Sequence, residues 1–236
     1  MSAPCLVIAH RGAWGPPTEA APAENTLEAF DAAIALGVDM IELDVRRTRD
    51  GHLVVFHDAR VKGAPTSSLL HEELRVKGTG SPPPLLAEVL ELTAGRVALN
   101  LEIKEAGYVA DVVGTVRPAG LERILLTSFL DDVVLEAKSL APELRTGLLI
   151  ATGLRRALQV RLPASRGDCL ALHRRLADRR ALASAVAAEV PCIVWTVNAP
   201  RAMDRYLTHE IVEGMITDRP ALALERRALL AANGST

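Results

Sequence analysis

MIELDVRRTRDGHLVVFH, residues 40–57, is the stretch that decides how this chain folds. It holds two apolar, β-branched runs, 40–45 and 53–57, on either side of Arg49-Asp50-Gly51. Asp-Gly is a tight-turn signal, and the gap is far too short for the crossover helix that parallel strands require. The two runs therefore read as an antiparallel hairpin. Seven other strand-length runs share the pattern: 5–9, 97–103, 123–129, 146–150, 169–173, 192–197 and 214–217. Helical stretches separate most of them. Leu27, Phe30 and Ile34 share a face that ends at Gly37; Asp131 and Asp132 open a helix carrying Val134, Leu135 and Leu140 that stops before Pro142; Pro200 stands in the first turn of another. With the return strand of the hairpin set aside as an excursion, eight β–α units remain. Eight is the count of a closed barrel, so the expected fold is α/β, a (β/α)8 TIM barrel with a β-hairpin excursion after the second strand.

The 236 residues are 49% hydrophobic, enough for one sizeable core at a length where α/β barrels commonly sit. A single domain over 1–236 is expected, with a Gly-, Pro-, Ser- and Lys-rich insertion around 59–84 that holds a short helix near 69–74. The charge is nearly balanced, 27 basic against 29 acidic residues, which argues against a nucleic-acid binder relying on a basic footprint. Cys5, Cys169 and Cys192 are odd in number, widely spaced and form no CxxC pair. They give neither a disulfide framework nor a zinc motif and fit a reducing compartment. No run approaches the roughly 20 apolar residues of a membrane helix, and the amino terminus has no signal-like core. A cytoplasmic protein without stable membrane insertion is expected; the oligomeric state stays open.

Active sites of such barrels lie at the carboxyl ends of the strands. Those ends read His10-Arg11-Gly12, then Glu42 and Asp44, then Glu102 and Lys104, with Ser128-Phe129, Trp195 to Asn198 and Thr217-Asp218 later. Glu42 and Asp44 are two apart, so both side chains leave one face, roughly 6–7 Å apart along the strand. Glu102 and Lys104 repeat the arrangement. Three carboxylates buried together are costly unless a cation compensates them, and Mg2+ or Ca2+ takes such ligands. The alternative is an ion-pair network, Glu42 with Arg11 and Glu102 with Lys104. Pairing about the Asp50-Gly51 turn sets His57 nearly opposite Asp44, which brings a second imidazole to the pocket of His10. Two histidines beside such a cluster suit acid–base work, and Arg11 and Lys104 supply charge for a phosphoryl group.

These residues, in this order, resemble the glycerophosphodiester phosphodiesterase family. The pattern is His-Arg-Gly (10–12), Glu-Asn-Thr (24–26), Glu-Leu-Asp (42–44), Asp-Gly…His-Asp (50–58), Leu-Glu-Ile-Lys (101–104), Trp-Thr-Val-Asn (195–198) and Gly-Met-Ile-Thr-Asp (214–218). It spans nearly the whole chain and looks most like the compact bacterial cytoplasmic members. The resemblance implies metal-dependent hydrolysis of small-molecule glycerophosphodiesters, of the glycerophosphocholine or glycerophosphoethanolamine type, to glycerol 3-phosphate and an alcohol. It implies Glu42, Asp44 and Glu102 as ligands of one divalent cation, Mg2+ or Ca2+, and His10 and His57 as the acid/base pair. Arg11 and Lys104 match phosphate-contacting positions, and Glu24 and Asn25 match a motif lining the site. Asn25 with Glu28 reads equally as a helix cap, and Trp195 as core or as an apolar wall for glycerol. Ala23 stands where the family usually has Pro, and the segments after His57 and between Ile150 and Cys169 are short.

Other readings of the same residues are an aldolase using Lys104 as a Schiff-base amine, a barrel that binds phosphodiesters with little or no catalysis, and a related phosphodiesterase acting on lysophospholipids. Against the first, three carboxylates and two histidines would have no task. Against the second, no ligand or histidine is lost.

Overall fold

The computed structural model describes residues 4–15 and 21–233; residues 16–20 and the extreme ends of the expected 1–236 domain lie outside the described residues. In chain order the strands are β1 (Leu6–His10), β2 (Met40–Arg47), β3 (Leu53–Val55), β4 (Arg60–Val61), β5 (Ala64–Pro65), β6 (Ala98–Ile103), β7 (Ile124–Ser128), β8 (Arg145–Ile150), β9 (Cys169–His173), β10 (Cys192–Trp195) and β11 (Val212–Thr217). Eight of them form a closed parallel sheet in the order β1-β2-β6-β7-β8-β9-β10-β11, because β1 pairs with both β2 and β11. The chain is a (β/α)8 TIM barrel.

The hairpin takes an edge that the barrel leaves free. β1 covers only Met40–Glu42 of β2, whereas β6 covers Met40 through Val45 on the other side. Above Glu42 the β1 edge of β2 is open, and β3 fills it antiparallel, with Val45 opposite Val55 and Arg47 opposite Leu53. The excursion therefore rises over β1 at the carboxyl end of the barrel. Two expectations are corrected here. The return strand ends at Val55, not at His57; the Val55 amide, on the edge away from β2, bonds to the Pro84 carbonyl at 2.9 Å. The Phe56 amide meets the Asp44 carbonyl at 2.9 Å, so Phe56, not His57, lies opposite Asp44. Phe56 then packs with Val54 and Leu74 in a small satellite core. The helix expected near 69–74 is instead two single 3-10 turns, Thr66–Ser68 and His71–Glu73.

The helices are α1 (Leu27–Leu36), α2 (Leu86–Thr93), α3 (Val109–Val116), α4 (Asp131–Leu140), α5 (Leu154–Arg156), α6 (Leu162–Ser165), α7 (Arg179–Ala187), α8 (Pro200–Leu207) and α9 (Pro220–Asn233). α1 shows how the pattern works. Thr26 Oγ1 caps it by accepting from the Ala29 amide at 3.2 Å, Phe30 and Ala33 are buried, and Gly37 closes it in the left-handed region. Between α5 and α6 the helix widens into a π turn over Ala157–Arg161. Ile8, Met40, Leu125, Leu149, Ala171, Ile193 and Ile216 fill the inside of the barrel, and two larger apolar layers lie between the sheet and the helices. Each fully buried aliphatic side chain contributes about 1.5–3 kcal/mol.

Gly12 is the tightest point between β1 and α1. Its φ is +91°, and a Cβ there would meet the Ala29 backbone at 2.8 Å. Gly51 has a similar φ, +86°, but open space around it. Gly12→Ala is expected to cost about 2–4 kcal/mol, from strain plus overpacking, and Gly51→Ala only about 1–2 kcal/mol, from strain alone. Paired urea or thermal denaturation of the two variants measures the difference; equal losses would mean that the α1 contact is not what fixes this turn.

Candidate active site

The sequence periodicity along the strands predicts what the barrel mouth contains. Inward positions of β1, β2 and β6 run from apolar to ionisable: Ile8 then His10, Met40 then Glu42 and Asp44, Ala98 then Asn100 and Glu102. Register sets Asp44 beside Glu102 and His10 beside Glu42. One ligand oxygen from each of Glu42, Asp44 and Glu102 lies within 4.8 Å of the others, a spacing that could hold one divalent ion. Among the described residues this is the one group of three or more potential ligands so placed.

Asp44 is the most heavily engaged member and is fully buried. Lys104 Nζ lies 2.7 Å from one carboxylate oxygen; Arg11 Nε, at 3.0 Å, and the Asn25 amide Nδ2, at 2.8 Å, approach the other. Burial alone would raise its pKa, but Lys104 and Arg11 outweigh that and hold it at about 2. Lys104 also reaches Glu102 at 2.5 Å, and Arg11 donates to Glu24 at 2.9 Å. Glu42 receives only the Arg11 amide, at 3.1 Å, and the edge of His10, at 3.8 Å. Burial, with Asp44 close by, pushes its carboxyl up to about 8.

The ion-pair alternative is thus present in part. Glu102 pairs with Lys104, but the Arg11 guanidinium goes to Asp44 and Glu24, so among the described residues Glu42 pairs with neither Arg nor Lys and faces only the edge of His10. Two cations shared among four carboxylates leave an acid excess inside the mouth. That excess, on an all-oxygen donor set, fits a hard divalent cation.

Backbone geometry holds the cluster. Arg11 and Asn25 both sit at positive φ, +57° and +56°, a region that costs a non-glycine residue roughly 1–2 kcal/mol. The Asn25 amide bonds to the Arg11 carbonyl at 3.0 Å, clasping the loop after β1 to the entry of α1. The choice left open for Asn25 is resolved by this arrangement: Thr26 caps the helix, and Asn25 points at Asp44.

His57 is placed differently from His10. Its ring is 41% exposed and bonds to Asp58 at 3.1 Å, and it lines a small cleft with Glu24, Asn25 and Lys77 at the edge of the carboxylate cluster. Its backbone is fixed by the buried Arg46, which donates to the His57 carbonyl at 2.8 and 3.0 Å and pairs with Glu105. Trp195 lies across the barrel, its indole N–H on the Ala171 carbonyl at 2.8 Å and its ring edge-on to Phe129 and His173. These three rings pack on one another near the carboxyl ends of β7, β9 and β10. His52, His71 and His209 lie outside the mouth, as their charge-rich contexts suggest; His71 bonds to the Pro83 carbonyl.

Two functional-looking contacts were not assigned from the sequence. Asp218, just past β11, meets His10 Nδ1 at 2.5 Å, and Asn198 Nδ2 donates to the other Asp218 oxygen at 2.5 Å. Burial would lower the His10 pKa, but the Asp218 hydrogen bond and the Glu42 charge raise it. The second is Arg46, whose alternation with Glu42 and Asp44 on β2 was the available signal.

Known proteins resemble this chain along nearly its whole length. The glycerophosphoryl diester phosphodiesterase family matches over residues 10–222. A glycerophosphodiester phosphodiesterase of Caldanaerobacter subterraneus subsp. tengcongensis is 33% identical, covering 91% of this chain and 94% of its own length. A probable glycerophosphodiester phosphodiesterase 2 of Mycobacterium tuberculosis is 31% identical over 92% of this chain and 88% of its own. The structure of an Oleispira antarctica phosphodiesterase in complex with the product sn-glycerol-3-phosphate superposes with a TM-score of 0.82 at 25% identity, covering 94% of this chain and 96% of that one. Fold, site and relatives agree that the chain is an enzyme and belongs to the glycerophosphoryl diester phosphodiesterase family.

Proposed function

We propose that this enzyme hydrolyses glycerophosphodiesters of the glycerophosphocholine or glycerophosphoethanolamine type to glycerol 3-phosphate and an alcohol. In this reading Glu42, Asp44 and Glu102 hold one divalent cation, Mg2+ or Ca2+, and His10 and His57 carry out proton transfer. The observation that carries the reading is the acid excess at the mouth beside a histidine whose inner nitrogen is held by a carboxylate. The product seen in the Oleispira antarctica relative supports the glycerol 3-phosphate end of the reaction. Three buried, unpaired cysteines support a reducing, cytoplasmic setting. Among the described residues no helix is long and apolar enough to cross a membrane.

The roles follow from the atoms. With Nδ1 bonded to Asp218, His10 presents Nε2 toward Glu42 and the cluster, and this is the nitrogen left to exchange a proton with substrate. Asp218 fixes the tautomer and favours the imidazolium, and Asn198 orients Asp218. His57 approaches from the hairpin side. One imidazole takes a proton from the attacking oxygen, of water or of the glycerol 2-hydroxyl, as that oxygen bonds to phosphorus; the phosphorus–oxygen bond to the alcohol breaks, and the other imidazole protonates the leaving oxygen, with water opening the cyclic phosphate on the second route. Arg11 and Lys104 offer lasting positive charge to the phosphoryl oxygens, while Glu24 and Asn25 hold Arg11 and Asp44 in place. Trp195 gives the glycerol carbons an apolar surface. A bound cation would draw charge from the phosphoryl oxygens as the nucleophile arrives.

His10→Ala and His57→Ala are each expected to lower kcat by about 10²–10⁴-fold with an unchanged melting profile. The assay is release of glycerol 3-phosphate from glycerophosphocholine; near-native turnover in either variant would sink that assignment. Asp44→Asn should weaken metal affinity, with activity partly restored at high metal.

Metal-free protein is expected to lose stability as pH rises. The Glu42 carboxyl stands at about 8 in the folded chain against an ordinary 4.5, so between these values the folded state binds the extra proton. Stability contributed by the protonated form is present below the unfolded pKa and lost as pH climbs toward about 8. Mg2+ or Ca2+ displaces that proton, so the metal-induced rise in Tm should widen across this window. Parallel curves with EDTA and with metal would mean that the carboxylates serve structure only.

A further inference from the structure

On the flank of the barrel, α7 stands apart from the helical unit that precedes β9. That unit is broken by its π turn and by Pro163 in the first turn of α6, and α6 leans onto α4. A groove of about 700 Å³ opens between the unit and α7, within the roughly 300–1,000 Å³ typical of ligand sites. Leu154, Leu158 and Leu176 line it, and α7, with nine residues, gives it a length of roughly 13 Å. Arg155, Arg175 and Arg180 also line it. All three follow the carboxyl ends of β8 and β9 closely in sequence, Arg155 and Arg175 next to Leu154 and Leu176, so charge and apolar surface meet within the one groove.

Charge is concentrated there. Residues 154–180 carry eight arginines against Asp168 and Asp178, in a chain whose net charge is −2. Arg161 pairs with Asp131, but Arg155, Arg175 and Arg180 are exposed and form no ion pair among the described residues. The nearest acid, Asp178, lines the same groove and caps α7 by accepting from the Ala181 amide at 2.8 Å; Asp168 is taken by Lys138. Three guanidiniums beside the leucines of one trough match a molecule with an acidic head and a hydrocarbon chain. A cationic head would face three like charges, and a small polar anion would leave the leucines uncovered.

We propose that this groove binds a single-chain anionic amphiphile, its head on Arg155, Arg175 and Arg180 and its chain along Leu154, Leu158 and Leu176. β9 is the strand diametrically opposite β2 in the barrel order, so the site is separate from the carboxylate cluster.

Titration calorimetry with dodecyl phosphate, kept below its critical micelle concentration, tests this on the full chain. The expected result is one saturable site that glycerol 3-phosphate does not displace. Inorganic phosphate and dodecyltrimethylammonium should not bind there. The triple variant R155E/R175E/R180E should bind about tenfold more weakly or worse, and Leu158→Arg, which fills the trough from the other side, should also lose binding. Both variants should keep glycerophosphocholine turnover, which shows that they are folded. Equal affinity for the cationic amphiphile, displacement by glycerol 3-phosphate, or undiminished binding in the triple variant would overturn the assignment. So would binding to phosphatidylglycerol vesicles without binding of the monomeric amphiphile, which would make the patch a membrane-docking surface.

Discussion

The buried carboxylate of Asp44 is the interaction on which the site depends. It meets Lys104 from β6, Arg11 from the loop after β1, and Asn25 from the entry to α1. Two β–α units besides its own are therefore tied to one side chain that has no exposure to water. A carboxylate in that position is tolerable only while its partners stay in place. The left-handed backbone at Arg11 and Asn25 persists for the same reason, since each residue is held by a bond that an ordinary conformation would break. The strain and the charge are two aspects of one arrangement.

The hairpin supplies what the barrel alone could not. β1 ends where the mouth begins, and β3 continues the sheet above it, so the chain can return a residue to a pocket whose walls have already ended. Arg46 completes that step by holding the His57 carbonyl, which makes His57 a projection from an anchored backbone, its ring part-exposed in the cleft and bonded to Asp58. His10 is the opposite case, a ring fixed by Asp218 inside the wall. The two imidazoles reach the carboxylates from different directions because their supports differ.

Period-2 alternation made much of this legible before any coordinates. Glu42 with Asp44, and Glu102 with Lys104, had to share faces, and the Asp50-Gly51 turn had to make a hairpin. Closure of eight staves followed from counting. Other features depend on contacts that spacing cannot express. His10 and Asp218 are 208 residues apart and meet only because β11 closes onto β1. The position of His57 is off by one from the hairpin pairing, since the turn closes between Thr48 and His52 around three residues, 49–51, and not around Asp50-Gly51 alone. Asn25 looked like a cap because Asx residues are good caps; only the neighbouring Thr26 and the distance to Asp44 decide its role. The gap beside α7 had a local signal, Pro163 within a short helical segment, but its consequence lies in how α6 packs.

The inside of the barrel also shows that the ionised layer is not there for stability. Below the mouth the inward positions are Ile8, Met40, Leu125, Leu149 and Ile216, which fill space at no electrostatic cost. Higher along β2 and β6 stand Glu42, Asp44 and Glu102, and at Glu42 the local cations fail to balance the burial. Apolar residues of similar volume would usually stabilise such a layer as well or better. A group whose charge is disfavoured in the isolated chain, yet surrounded by rigid backbone and by partners that fix its neighbours, is placed to be completed by something added. The cost of burying the cluster and its fitness to hold a cation have the same origin, so relieving the acid excess with neutral side chains would stabilise the fold while removing the site.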